Sequence, residues 1–206
     1  MSEPYYDRDG ITIFNADCKE VLPFLGSSDL LLTDPPYGLG SKLVAGESDK
    51  QWGKNFGSQH EWDIQTSPNW LLNQCVSKVV SAIVWGGNYY SLPPARCWLS
   101  WDKMQEHTSG HFEMAWTNLD KPTRTFRMSR VEAHCKGKKH PTEKPLNLIK
   151  WCIGLTEGVE TILDPFMGSG TTLVAAKLEG RRAIGIEINE KYCESAAKRL
   201  EQGVLF

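Results

Sequence analysis

The chain has 206 residues, 40% of them hydrophobic and 23% charged, which fits one globular domain with a real core and little room for a second. No apolar run nears the roughly 20 residues that span a bilayer, and the polar start Met1–Asp7 does not read as a signal peptide, so a single cytoplasmic domain over 1–206 is expected. The formal charge of −2 is unevenly spread: Lys121–Lys150 holds nine Lys or Arg against Glu132 and Glu143, a net +7 that leaves −9 elsewhere.

In chain order, the first strand pattern is Ile11–Phe14, followed by a helical pattern at Cys18–Leu25. A buried-strand pattern at Asp29–Thr33 runs directly into Asp34-Pro35-Pro36-Tyr37-Gly38. Proline lacks an N–H and pushes the residue before it out of helical geometry, so this segment is extended and stiff. Asp34 and the Pro35 carbonyl can then point two acceptors at one –NH₂ group, while Tyr37 offers a flat face to a base. Two acceptors on the hydrogens of an aromatic amine favour a tetrahedral nitrogen whose lone pair can attack an electrophilic methyl group. The bland alternative is a surface Pro-Pro turn capped by Asp34. Residues 38–63 have no clear period and read as a long loop, with Trp52 and Trp62 free to touch bases or pack down as a lid.

A helix over Pro68–Val80, with Ser67 as a candidate N-cap, precedes strands Ala82–Trp85, Cys97–Trp101 and Phe112–Thr117. Trp85, Trp98 and Trp101 fall on these strands and are expected in the core. Residues 103–139 otherwise carry His, Thr, Arg and Lys with only short strand-like runs. The basic stretch within and after them suits a phosphate-facing surface or, equally, a solvated loop. His107, His111, His134, Cys135 and His140 lie close in sequence, but no paired-cysteine knuckle accompanies them and no metal is expected. The six cysteines show no C-x-x-C spacing and read as reduced thiols.

A helix at Pro145–Leu155 leads to the strand Thr161–Leu163 and then Asp164-Pro165-Phe166-Met167-Gly168-Ser169-Gly170-Thr171-Thr172, which opens a helix over Thr171–Glu179. The small turn lets a ligand approach the backbone, and the helix behind it presents free N–H groups. The next strand, Ala183–Ile186, is followed by Glu187, 17 residues after Gly170, where a carboxylate can accept both hydroxyls of a ribose. A purely structural turn would look similar. The last helix, Glu190–Gln202, has Asn189 as its candidate N-cap. Neither G-x-G-x-x-G nor G-x-x-x-x-G-K-[ST] occurs. Strands alternating with helices indicate an α/β fold with a largely parallel sheet.

Together these motifs resemble the amino-methyltransferase family of DNA methylases. Asp34-Pro35-Pro36-Tyr37 is similar to its catalytic motif IV, and Asp164–Thr172 to its cofactor motif I. His140-Pro141-Thr142-Glu143-Lys144-Pro145 is similar to motif X, and Asn15-Ala16-Asp17-Cys18 to a short acidic motif. The order, catalytic motif first, matches the circularly permuted β group. The resemblance implies a Rossmann-like, doubly wound, mainly parallel seven-stranded sheet with an antiparallel last strand. It implies S-adenosylmethionine as cofactor, approached by Gly168, Ser169, Gly170 and Thr171, with Asp34, Asp164 and Phe166 also in the cofactor site. Glu187 would bind the ribose, Asp17 and Cys18 would lie near the adenine ring, and Thr142 and Lys144 near the methionine end, although Lys144 could simply cap a helix. Asp34, Pro35, Pro36 and Tyr37 would act on a base flipped out of double-stranded DNA.

Arg124, Arg127, Arg130, Lys136, Lys138 and Lys139 are the candidate DNA contacts, mostly to phosphates. The recognition stretches, 38–63 and 103–139, are short for the family, which leaves room for a homodimer or a partner subunit. The pattern does not say whether a restriction enzyme is paired with it. Asp at position 34 resembles the adenine-N6 enzymes, whereas cytosine-N4 enzymes more often carry Ser there. Cytosine-N4 methylation, an RNA substrate and a non-catalytic DNA-binding module are the rival readings. Carbon-5 chemistry would need a Pro-Cys nucleophile, and none occurs, so Cys18 and Cys135 are not nucleophile candidates.

Overall fold

Alternation along the central strands decides which face of the sheet each side chain serves, in a computed structural model that describes residues 3–38, 66–104, 111–129, 132 and 143–202. In β3 (Ser28–Thr33), Leu30 and Leu32 enter one core and Leu31 the other. In β4 (Val79–Trp85), Ile83 and Trp85 join the first core, and Ala82 and Val84 the second. Strands apolar on both sides need cover on both faces. The first face is covered by α3 (Leu146–Gly154), α4 (Thr171–Leu178) and α5 (Glu190–Glu201), through Leu148, Cys152, Leu173, Ala196 and Leu200. The second is covered by α1 (Cys18–Val21) and α2 (Asn69–Ser77), through Val21, Leu71, Leu72 and Cys75. The protein is therefore the expected doubly wound α/β fold.

The other strands are β1 (Tyr6–Arg8), β2 (Ile11–Asn15), β5 (Trp98–Asp102), β6 (Phe112–Thr117), β7 (Arg124–Arg127), β8 (Thr161–Asp164) and β9 (Arg182–Glu187). Among the described residues the order is β1-β2-β9-β8-β3-β4-β6-β5-β7. The run from β2 to β5 supplies the expected seven-stranded sheet, parallel except for β6. Two features correct the expectation. Within that run the antiparallel strand, β6, is not last but lies between β4 and β5, while β1 at the end of the sheet is antiparallel as well. Among the described residues the sheet also has nine strands, because β1 and β7 add an edge on each side.

β1 and β2 are joined by Asp9 and Gly10, at φ 53° and 75°, a two-residue hairpin turn with both residues left-handed. β7 pairs parallel to β5, and Phe126 packs on Trp151 with ring centroids 5.5 Å apart.

Smaller corrections have local causes. The helical pattern at Cys18–Leu25 breaks after Val21 into a 3-10 turn over Leu22–Phe24, because Pro23 cannot donate to the helix ladder. Ser67 does not cap α2; the residue before it is Pro68, with no side-chain capping bond. That helix also ends at Ser77, since Val79 and Val80 are drawn into β4. Asn189 does cap α5, its side chain accepting from Lys191 N at 3.0 Å. No helix among the described residues is long and apolar enough to cross a membrane.

Candidate active site

β3 and β8 are neighbours, yet β3 leads through α2 to β4 on one side and β8 leads through α4 to β9 on the other. Such a switch point leaves a crevice at the carboxyl ends of the two strands. Both ends of this strand pair are fixed. At the far end Asp29 Oδ2 accepts from Glu160 N (3.0 Å), Thr161 N (2.8 Å) and Thr161 Oγ1 (2.7 Å). At the crevice end Thr33 Oγ1 donates to Asp164 Oδ1 at 2.8 Å. A cleft of about 410 Å³ opens there and extends along the sheet edge from Asp34 to Glu187.

The cleft floor is the turn after β8. Gly168 and Gly170 hold φ 50° and 79°, and a Cβ on Gly170 would lie 2.6 Å from that of Ala196 on α5. Side chains are therefore excluded at Gly170 by both backbone conformation and packing. Glu187, at the end of β9, accepts from Gly168 N (3.1 Å) and Asn189 N (2.8 Å), while burial raises its carboxyl pKa above the usual range. Asp17 caps α1 and Cys18 is buried behind it; both line the cleft with Phe166, Ser169 and Thr171.

Asp164 is buried, and desolvation pushes its pKa up to about 6 despite donors from Thr172, Thr33 and Phe166 N. Its unfolded value is about 4, so the native state binds the proton more readily and ionisation opposes folding. That cost is absent below about pH 4 and complete above pH 6. Asp164→Asn removes it. The stability of this variant relative to wild type should therefore rise by on the order of 2–3 kcal/mol between pH 4 and pH 8. Thermal melts at both values check this; an unchanged difference would refute it.

The second wall is the loop after β3. Tyr37 OH donates to Asp34 Oδ1, and Lys144 Nζ lies 2.5 Å from Asp34 Oδ2 and 3.3 Å from Tyr37 OH. Tyr90 OH donates to the Pro36 carbonyl, tying the Pro-Pro segment to the end of β4. Gly86, at φ 66°, passes so close to Tyr37 that a Cβ there would fall 1.9 Å from the ring. The outer neighbour of Tyr37 is Tyr89, stacked at 5.0 Å and 22°. Burial raises the Asp34 pKa, opposed by Lys144 and reinforced by Glu113. Lys144 is itself held charged, because Asp34 and Glu113 outweigh the desolvation that would lower its pKa.

The fold thus brings Asp34, Pro36, Asp17, Cys18, Lys144, Asp164, Phe166, Gly168, Ser169, Thr171 and Glu187 to one cleft. Lys144 lines it, but its ammonium engages Asp34 and Glu113, a pairing that no sequence pattern indicated. Arg124 and Arg127 lie apart, exposed on the edge strand β7, with Arg127 Nε 3.5 Å from Asp102. Thr142, Arg130, Lys136, Lys138, Lys139, Trp52, Trp62, His107, His134, Cys135 and His140 lie outside the described residues.

Sequence reasoning also missed Arg199 and Glu143. Arg199 donates to Ser169 O (2.7 Å), Ser169 Oγ (3.1 Å) and Thr171 Oγ1 (3.3 Å), and pairs with Glu143 at 2.9 Å. It anchors the glycine turn and the segment before α3 to each other. The available signal was its place three residues after Ala196, on the border of the buried stripe of α5.

A family model for N6/N4 methylases, described as DNA methylase, matches residues 98–198. The type II methyltransferase M2.DpnII of Streptococcus pneumoniae is 29% identical over 98% of this chain and 93% of its own. M2.LlaDCHI of Lactococcus lactis subsp. cremoris is 27% identical over 100% and 95%. Among solved structures, an M1.HpyAVI–SAM complex aligns with a TM-score of 0.61 at 21% identity, covering 92% of this chain and 98% of that one. The cytosine-N4-specific PvuII DNA methyltransferase aligns at 0.65 and 18% identity, covering 98% and 90%. At these identities the structural likeness is one of fold.

Proposed function

We propose that the chain, which a DNA methylase family model matches over residues 98–198 and which is similar to type II methyltransferases along nearly its whole length, methylates the N6 amino group of adenine in double-stranded DNA, with S-adenosylmethionine as methyl donor. The observation that carries this reading is Asp34 at the carboxyl end of β3, facing the same cleft as the Gly168–Gly170 turn and Glu187. An acid rather than a serine at that position favours adenine over cytosine N4.

The cleft residues fit the cofactor. Gly168 and Ser169 bring the backbone of the turn to the cleft, and Glu187 offers a carboxylate at the end of the adjoining strand. Glu187 would take the ribose hydroxyls, Asp17, Cys18 and Phe166 would border the purine, and Gly168–Thr171 would bear on the remainder. When bound, the cofactor supplies an electrophilic methyl group. Asp34 and the Pro35 carbonyl then accept hydrogen bonds from the two amine hydrogens, which localises the nitrogen lone pair for in-line attack. The base has to leave the duplex to reach Asp34, and Tyr37, its ring packed against Gly86 and Tyr89, backs that carboxylate through its hydroxyl. Arg124 and Arg127, with Arg130, Lys136, Lys138 and Lys139, supply phosphate contacts. The enzyme works in the cytoplasm, where its DNA is.

The test is incubation with labelled S-adenosylmethionine and unmethylated duplex DNA, followed by digestion and mass spectrometry of the nucleosides. N6-methyladenine is expected. N4-methylcytosine alone would replace the adenine assignment, transfer confined to RNA would replace the substrate class, and DNA binding without any transfer would leave a binding module.

A further inference from the structure

Behind Asp34 lies a line of paired charges. Lys144 Nζ sits 2.5 Å from Asp34 Oδ2 and 3.0 Å from Glu113 Oε2, and Glu113 Oε1 is 2.7 Å from Lys103 Nζ. The two lysine side chains are only 6% and 3% exposed. The four groups come from four separate places: the β3 loop, the segment before α3, strand β6 and the residue just past β5. Their signs alternate and cancel. A chain that only stapled β6 to β3 would be better made of apolar residues, since taking two lysines and two carboxylates only 23% and 27% exposed largely out of water is costly even when they pair.

We propose that Lys103, Glu113 and Lys144 form an alternating charge chain that sets how strongly Asp34 accepts a hydrogen bond from the target amine, with Glu113 and Lys144 as positioning residues. The proposal rests on the reading of Asp34 as the group that holds that amine. Lys144 keeps Asp34 ionised inside the cleft. Glu113 draws part of the ammonium away, so that Lys144 does not saturate the Asp34 carboxylate as a donor. Lys103 in turn holds Glu113, whose carboxyl is brought down to about 2 by Lys144 and Lys103 against the opposing effect of burial. Among the described residues, the other titratable groups around this chain are Tyr37 on the Asp34 loop, Cys152 on α3 and Asp164 at the end of β8.

The chain predicts shifts that alternate in sign. Glu113→Gln leaves two lysines facing Asp34 alone, so the Asp34 titration midpoint falls. Lys144→Met leaves Asp34 beside the Glu113 charge, so the midpoint rises. Lys103→Met releases Glu113 to compete for Lys144, so the midpoint rises by less. Shifts of about one to three pH units are expected for the two inner positions, the usual range for a charge at this distance.

The experiment is a pH titration of ¹³C-labelled aspartate by NMR on the protein free of cofactor and DNA, with the Asp34 resonance assigned by its loss in Asp34→Asn. Lys103→Met, farthest from Asp34, carries the test if the inner variants fail to fold. The alternating pattern, or the upward shift in Lys103→Met alone, supports the chain. Midpoints that stay put, or that all move one way, overturn it. The readout needs no methyl transfer, so a wild-type enzyme that modified cytosine or RNA would overturn the adenine reading and leave this result standing.

Discussion

Asp34→Ala is expected to lower methyl transfer at least about a thousandfold while changing affinity for S-adenosylmethionine by less than about threefold. Removal of one preorganised oxyanion-hole donor costs about 10²–10³ in rate, a scale taken over here for an acceptor, and Asp34 is also the partner of Lys144 and Tyr37. The variant loses the acceptor and leaves Lys144 with Glu113 and the Tyr37 hydroxyl, its ammonium near the place where the amine would bind. A positive charge there repels the cationic nitrogen that forms as the methyl group arrives. The glycine turn, Glu187 and Arg199 are untouched, since none of their hydrogen bonds reaches Asp34. Single-turnover transfer and calorimetric cofactor titration measure the two effects separately. A loss of cofactor affinity comparable to the loss of rate would show that Asp34 acts mainly on the cofactor.

The sequence made one half of this site readable and hid the other. Strands buried on both faces, such as Asp29–Thr33 and Ala183–Ile186, announce themselves as apolar runs, and a turn built on two glycines needs no partner to be recognised. Asp34 and Glu187 stood at the ends of such strands, so their places followed from local pattern. Glu113, Lys103 and Arg199 did not, because an isolated charge in a strand or helix reads as a solvated group. Their partners lie on other elements, 10 residues away for Lys103 and Glu113, 31 for Glu113 and Lys144, and 56 for Arg199 and Glu143.

The same reasoning explains the strands that went unread. β7, Arg124-Thr125-Phe126-Arg127, has one half-buried aromatic and three exposed residues, because an edge strand needs little apolar surface to pair. β1 is only three residues long, although the Asp9-Gly10 pair beside it is a strong hairpin signal in sequence.

Gly170→Val tests the opposite wall of the cleft and should give the converse result. The residue sits at φ 79°, a region that β-branched side chains strongly avoid, and its Cβ would lie 2.6 Å from the Ala196 Cβ. Backbone strain of about 1–3 kcal/mol adds to the cost of moving α5 away from α4. At roughly 2–4 °C per kcal/mol for a chain of this size, the melting temperature should drop by about 5–15 °C. Displacement of α5 also carries Arg199 off Ser169 and Thr171, so the turn loses its anchor together with its shape. Cofactor affinity should therefore fall at least about tenfold in Gly170→Val, measured well below its melting temperature. Transfer at saturating cofactor should recover a larger fraction of the wild-type rate than Asp34→Ala ever reaches. Unchanged affinity in a folded Gly170→Val protein would remove the turn from the cofactor site. The two variants together divide the cleft into a wall that holds the donor and a wall that holds the acceptor.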